Sequence, residues 1–217
     1  MKRTSRELSR IYELLNRHFG DLRWWPARSG FEVMVGTVLT QNTAWSNVVK
    51  AIRSLRKHGL LTPGKLLGAD LEKLEGLIRP AGYFRIKADR LKRMCRFVMD
   101  ECGGRLSLLK KRESSEMRQL LLSVKGIGPE TADSILLYAL EKPVFVVDAY
   151  TRRIFSRHGL ISENARYEDV KTLVEENFPM EVARLNQFHA LLVETAKSYC
   201  KKNNPLCNEC PLGILLK

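Results

Sequence analysis

The stretch Leu122-Ser123-Val124-Lys125-Gly126-Ile127-Gly128-Pro129-Glu130-Thr131-Ala132-Asp133 reads as a helix end, a tight turn and a new helix start. Pro129 suits the first position of the second helix, where its missing N–H is not needed. Gly126 and Gly128 let the backbone approach another molecule closely. The second helix then offers N–H groups without intrahelical partners and the positive end of its dipole. Together these make a cradle for phosphate, and Lys125 adds a charge contact. A lone Gly-x-Gly also fits an ordinary αα-hairpin, so the flanking sequence has to decide.

On both sides of the turn, apolar residues recur at helical spacing. Leu8, Ile11, Leu14 and Leu15 make one such run, closed by Gly20. Thr4-Ser5-Arg6-Glu7 ahead of it reads as a capping box, with Thr4 as N-cap and Glu7 reaching back. The mostly apolar run Phe31 to Leu39 predicts a helix buried on most sides. Further helices are predicted at about 45–58, 70–78, 84–101, 114–124, 130–140, 149–158, 166–177 and 182–199. Only Pro143-Val144-Phe145-Val146-Val147 looks extended, and alone it cannot make a sheet. The predicted fold class is therefore all-α. His18, His58 and His158 each fall near a helix end with glycine within two residues, as dipole partners beside glycine caps would.

The chain has 217 residues, with 37 Lys+Arg against 24 Asp+Glu, a net charge of +13. A basic surface gains affinity for nucleic acid by releasing counterions from phosphate. An anionic membrane fits less well, because no long helix sets a wholly basic face against an aromatic one. No run approaches about 18 consecutive apolar residues, so no membrane span is predicted. Residues 1–7 are too charged for a secretory signal, which predicts a cytoplasmic protein. An odd count of five cysteines argues for reduced thiols rather than a disulfide framework.

The hairpin, taken with the residues C-terminal to it, resembles the helix-hairpin-helix of the endonuclease III superfamily of DNA glycosylases. In that family a short apolar run after the second helix ends in an essential aspartate. Val144-Phe145-Val146-Val147-Asp148-Ala149-Tyr150-Thr151-Arg152-Arg153 fits, so the resemblance implies that Asp148 is catalytic. Asp148 is also a good N-cap for a helix beginning at Ala149, and both roles can hold. Val38-Leu39-Thr40-Gln41-Asn42-Thr43 matches the family helix whose Gln fills the gap left by a flipped base, which implies that role for Gln41. Ala81-Gly82-Tyr83-Phe84-Arg85-Ile86-Lys87-Ala88 matches the loop carrying the wedge residue, which implies Tyr83. A buried polar Gln and a packed loop Tyr are the plainer alternatives. Arg152 and Arg153 either touch phosphate or form a solvated face.

The resemblance further implies two helical lobes. A central lobe would span 25–142, with the hairpin at 125–129. The other would join 1–24 to 143–217, with a cysteine loop at 200–216. A damaged base from double-stranded DNA would enter the cleft between them, and the protein would act as a monomer.

One departure bears on mechanism. Bifunctional members carry a Lys two residues after the second hairpin glycine, where it forms a Schiff base with the sugar. Here that position is Glu130, and a carboxylate cannot form an imine. The expectation is a monofunctional glycosylase, in which Asp148 stabilises an oxocarbenium-like sugar and orients or deprotonates a water. Trp24, Trp25 and Trp45 lie close in sequence, and indole faces hold a cationic flat ring well. If Gln41 lines the lesion site, Trp45 lies near it, since i and i+4 share a helix face. Trp24-Trp25-Pro26 followed by Leu-Thr-Gln-Asn-Thr is similar to the 3-methyladenine glycosylase branch, whose residues at Trp24, Pro26 and Trp45 shape the base pocket, with Phe in place of Trp45. N-alkylated purine is the favoured substrate, with an oxidised pyrimidine or a mismatched thymine or uracil as alternatives. A non-catalytic helix-hairpin-helix DNA-binding protein and an iron–sulfur regulator are the readings from other classes.

Cys200-x6-Cys207-x2-Cys210 matches three ligands of the family's [4Fe–4S] loop, whose fourth position falls at Leu216. Thiolates at this spacing suit iron–sulfur or zinc. Four readings are open: a [4Fe–4S] cluster with a non-cysteine or exogenous fourth ligand, a [3Fe–4S] cluster, zinc with an added ligand such as His189, or a loop without metal.

Overall fold

The computed structural model describes residues 3–22, 24–25 and 27–216. In chain order its helices are α1 (Arg3–Phe19), α2 (Gly30–Leu39), α3 (Trp45–Lys57), α4 (Pro63–Gly68), α5 (Leu71–Ile78), α6 (Phe84–Cys102), α7 (Leu106–Leu109), α8 (Ser114–Ser123), α9 (Pro129–Ser134), α10 (Ala149–Arg157), α11 (Tyr167–Asn177) and α12 (Val182–Ser198). The described residues form no strand, so the fold is all-α. No helix among them is long and apolar enough to cross a membrane. Residues 143–147 are extended but unpaired with any strand.

The chain divides into two compact units, Met1–Trp24 with Pro143–Lys217, and Trp25–Lys142. In the first, α1 packs on α11 and α12, and α10 packs on α12. Its centre is aromatic: Phe188 lies 4.6 Å from Phe178 and 5.8 Å from both Tyr12 and Phe145, ring centre to ring centre. In the second, α2 is buried along almost its whole length, as its apolar run predicts. Ser29 starts α2 by accepting the Glu32 N–H, and Asp70 starts α5 by accepting that of Lys73. Glu32 is buried on α2 and survives there because Arg56 of α3 pairs with it at 2.5 Å.

Several local expectations are corrected. Thr4 is not an N-cap: α1 already includes Arg3, and Glu7 pairs with Arg3 at 3.0 Å instead of reaching back to Thr4. An i,i+4 ion pair thus replaces the capping box. The helix expected at 130–140 changes character midway. Ile135–Ala139 is a π-turn, in which the Leu140 N–H reaches the Ile135 carbonyl at 3.0 Å. Gln41 and Trp45 share no helix, because α2 ends at Leu39 and Asn42 turns left-handed at φ +52° before α3 begins.

Candidate active site and cysteine loop

Asp148 follows the extended segment 143–147. That segment has no sheet partner, so its backbone donors need other acceptors. Two side chains of α11 supply them. The Phe145 N–H donates to Glu175 at 2.8 Å, and the Val147 N–H donates to the Tyr167 hydroxyl at 3.4 Å. Lys171 pairs with the same Glu175 carboxylate. The segment thus delivers Asp148 to the N-terminus of α10, where its Oδ1 accepts the Thr151 N–H at 2.7 Å.

Asp148 is only 9% exposed. Burial alone would raise its pKa, but the His189 imidazole, whose Nε2 lies 3.5 Å from Oδ2, and the Thr151 groups together hold it below the usual aspartate value. It is therefore a buried carboxylate kept ionised at neutral pH, serving as cap and charged group together. His189 projects from α12 and is itself buried. The sequence offers it as a candidate zinc ligand, but its ring is turned to Asp148.

The hairpin lies between α8 and α9. Ile127 anchors its tip at 5% exposure, while Lys125, Gly128, Pro129 and Glu130 are exposed. Gly126 has φ +99°, and a Cβ there would stand 2.6 Å from Arg90 Cγ, so both backbone and packing call for glycine. Gly128 differs: a Cβ there would meet nothing within 4 Å. Packing within the chain does not demand that glycine, whose lack of a side chain keeps the start of α9 open. Arg118 of α8 grips the fully buried Asp133 of α9 with two bonds, at 2.8 and 3.1 Å, and locks the two arms together.

Gln41 is tied to this hairpin. Its Nε2 donates to Thr131 Oγ1 at 2.9 Å and to the Gly126 carbonyl at 3.2 Å, and its Oε1 accepts from Arg90. Tyr83 is 67% exposed and holds a left-handed backbone, φ +45°, just before α6. Between these two positions sits Lys87, buried to 1% exposure. Its ammonium donates to the Leu39 carbonyl at 2.8 Å, Thr43 Oγ1 at 2.6 Å and the Ala81 carbonyl at 2.8 Å. Burial, then the charge of Arg90, pushes its pKa down to about 8, so it is still an ammonium at neutral pH. One buried cation thereby fixes the turns that carry Gln41 and Tyr83.

The tryptophans are divided between the two units. Trp24 belongs to the first unit, where Lys197 stands 4.9 Å over its ring. Trp25 belongs to the second. There Tyr138 stacks on it at 4.9 Å, 29° between planes, and Trp45 meets it edge-on at 5.2 Å. Gly36 makes room for them, since a Cβ would lie 3.3 Å from the Trp25 ring. Tyr138 stands in the π-turn, and the sequence gives no sign of its place beside the tryptophans. Pro26 lies outside the described residues.

The expected phosphate contacts on α10 are engaged within the chain. Arg152 donates to the Ala165 carbonyl. Arg153 donates to the Cys200 carbonyl at 2.7 Å and lies 5.3 Å over the Tyr150 ring. Arg157 also reaches the cysteine loop, donating to the Cys200 sulfur at 3.2 Å and to the carbonyls of Lys201 and Lys202 at 2.8 and 3.0 Å. Gly213 closes the loop so tightly that a Cβ would fall 2.2 Å from the Cys207 carbonyl oxygen. Cys200, Cys207, Cys210, His158 and Leu216 share the wall of one cavity of about 170 Å³. Among the described residues no three His, Cys, Asp or Glu side chains converge as ligands of a single ion.

Residues 35–180 match the family described as "HhH-GPD superfamily base excision DNA repair protein". The chain is 46% identical over 204 residues to the Methanocaldococcus jannaschii protein named "Putative DNA repair glycosylase MJ1434", covering 94% of this chain and 92% of that one. It is 31% identical to a Thermotoga maritima endonuclease III, over 83% of this chain and 79% of the relative. The structure of the H. pylori 3-methyladenine DNA glycosylase bound to 1,N6-ethenoadenine superposes with a TM-score of 0.76 at 27% identity, covering 89% of this chain and 97% of that one. With its braced glycine hairpin and its capping aspartate, this chain belongs to the HhH-GPD superfamily of base excision DNA repair proteins and is a DNA repair glycosylase.

Proposed function

We propose that the protein is a monofunctional glycosylase that hydrolyses the N-glycosidic bond of an N-alkylated purine, 3-methyladenine above all, in double-stranded DNA, and that it works as a monomer. The observation that carries this reading is the buried Asp148 carboxylate, held ionised beside His189 at the start of α10. A fixed negative charge stabilises the oxocarbenium-like sugar as the base departs, and its other lone pairs orient or deprotonate the attacking water. An alkylated purine is already cationic and a good leaving group, so little general acid is needed.

The base pocket is assigned to Trp25 and Trp45, joined by Tyr138. Electron-rich rings favour a cationic base over a neutral one once water is excluded. Lys125, Gly126 and Gly128 take the phosphate backbone. Tyr83 and Gln41 fill the stack, which requires Gln41 to exchange its bonds to Gly126 and Thr131 for bonds to DNA. Glu130 stands on the exposed start of α9, in place of an amine that could attack the sugar.

Cys200, Cys207 and Cys210 are assigned to a [4Fe–4S] cluster. Bound there, it cross-links the C-terminal loop and leaves base removal to Asp148.

The test is base release from a methylated duplex, with strand scission scored before and after alkali and borohydride added in parallel. Free 3-methyladenine, nicks only after alkali and no borohydride-trapped adduct are expected. Release from a thymine-glycol duplex with nicking before alkali would overturn both the substrate and the monofunctional reading.

A further inference from the structure

The three loop cysteines leave a four-iron cluster one ligand short, and the cavity they share has another donor on its wall. His158 ends α10, where its backbone N–H closes the helix on the Ile154 carbonyl at 3.1 Å. Its Nδ1 is buried and has no hydrogen-bond partner among the described residues. A buried ring nitrogen without a partner is costly, so such an atom calls for an explanation. The same imidazole lines the cavity with Cys200, Cys207 and Cys210, while Leu216, at the sequence position of the absent cysteine, contributes only hydrocarbon.

We propose that His158 is the fourth protein ligand of the cluster, binding iron through Nδ1, so that the site is Cys3His. This rests on the assignment of the cysteine loop to a cluster. Neutral imidazole is a good ligand for iron. It brings no charge, so replacing one thiolate makes the cluster one unit less negative and raises its reduction potential. Arg157, donating to Cys200 Sγ at 3.2 Å, acts in the same direction, because a hydrogen bond to sulfur stabilises the reduced form.

The experiment reconstitutes the full chain anaerobically with ferrous iron and sulfide, in wild type, His158→Ala, and the double variant His158→Ala with Leu216→Cys. Iron and sulfide are counted, and pulsed EPR of the reduced cluster is recorded on protein labelled with 15N-histidine. Wild type should hold about four irons and show a directly bound 15N coupling. His158→Ala should lose that coupling and drop to about three irons on exposure to air. The double variant should recover the four-iron count without the coupling, at a lower reduction potential. Its recovery shows that the loop still folds without the imidazole. A four-iron wild type with no 15N coupling, or with a coupling that survives in His158→Ala, would overturn the ligand assignment alone. A wild-type chain that takes up no iron would overturn the cluster assignment and this proposal with it.

Discussion

His189 Nε2 stands 3.5 Å from Asp148 Oδ2, joining the middle of α12 to the residue that starts α10. Neither residue makes sense alone. A carboxylate this deep would take up a proton without an opposing group, and a buried imidazole needs an acceptor.

Replacing His189 with Leu removes one of the groups that oppose the effect of burial on Asp148. The carboxyl pKa then rises, and the acid limb of the base-release profile moves to higher pH. In the wild type, Asp148 has a folded pKa below its unfolded value. Its contribution to stability is therefore present above the unfolded value, near 3.9, and lost as pH falls through the folded one. In the variant that loss begins at higher pH. Parallel pH–rate and pH–melting curves check both shifts, and unchanged curves would remove His189 from the account.

Arg118→Met leaves Asp133 charged and fully buried between α8 and α9. Loss of one partner of such a pair costs about 3–5 kcal/mol. Denaturant unfolding should show this loss. DNA binding should weaken as well, because the two arms of the hairpin are no longer locked.

Lys87→Met removes the donor shared by three oxygens, on Leu39, Thr43 and Ala81, of which the Ala81 carbonyl keeps the Thr43 hydroxyl. A stability loss of about 1–3 kcal/mol is expected for each acceptor that water cannot reach. Activity should fall further than stability implies, since the turns carrying Gln41 and Tyr83 both rest on this ammonium. Activity measured well below the variant's melting temperature separates the two effects.

Tyr83→Gly should be neutral or stabilising, because glycine accepts the left-handed backbone at φ +45° without strain. The same change removes an exposed ring that the fold does not need. If Tyr83 is the wedge, base release from duplex DNA drops about tenfold or more, while release from single-stranded DNA is spared. Equal losses on both substrates would count against the wedge.

What was legible in the sequence was local. The glycine hairpin, the helices and the capping role of Asp148 each depend on neighbours within a few residues. What was not legible depends on distant partners. Lys87 looks like any surface lysine of an amphipathic helix until the Leu39 carbonyl, 48 positions away, closes on it. In sequence His189 reads as a candidate zinc ligand and His158 as a dipole partner beside a glycine cap. The fold turns His189 to Asp148 and sets His158 on the wall of the cavity that the cysteines share. The capping box failed for a related reason, because an ion pair from Arg3 competed for Glu7. Tyr138 is hidden in the sequence because a π-turn leaves no mark in apolar spacing.

Release of free base from methylated duplex DNA by Asp148→Asn, measured beside wild type, decides whether the ionised carboxylate drives the reaction. Asparagine is as good an N-cap as aspartate, so α10 and the fold should survive. DNA affinity should stay close to wild type, while base release falls by about 10²–10⁴-fold. An Asn variant that folds, binds DNA and still releases base within about tenfold of wild type would contradict the account, since the ionised carboxylate would then not be the group that drives the reaction.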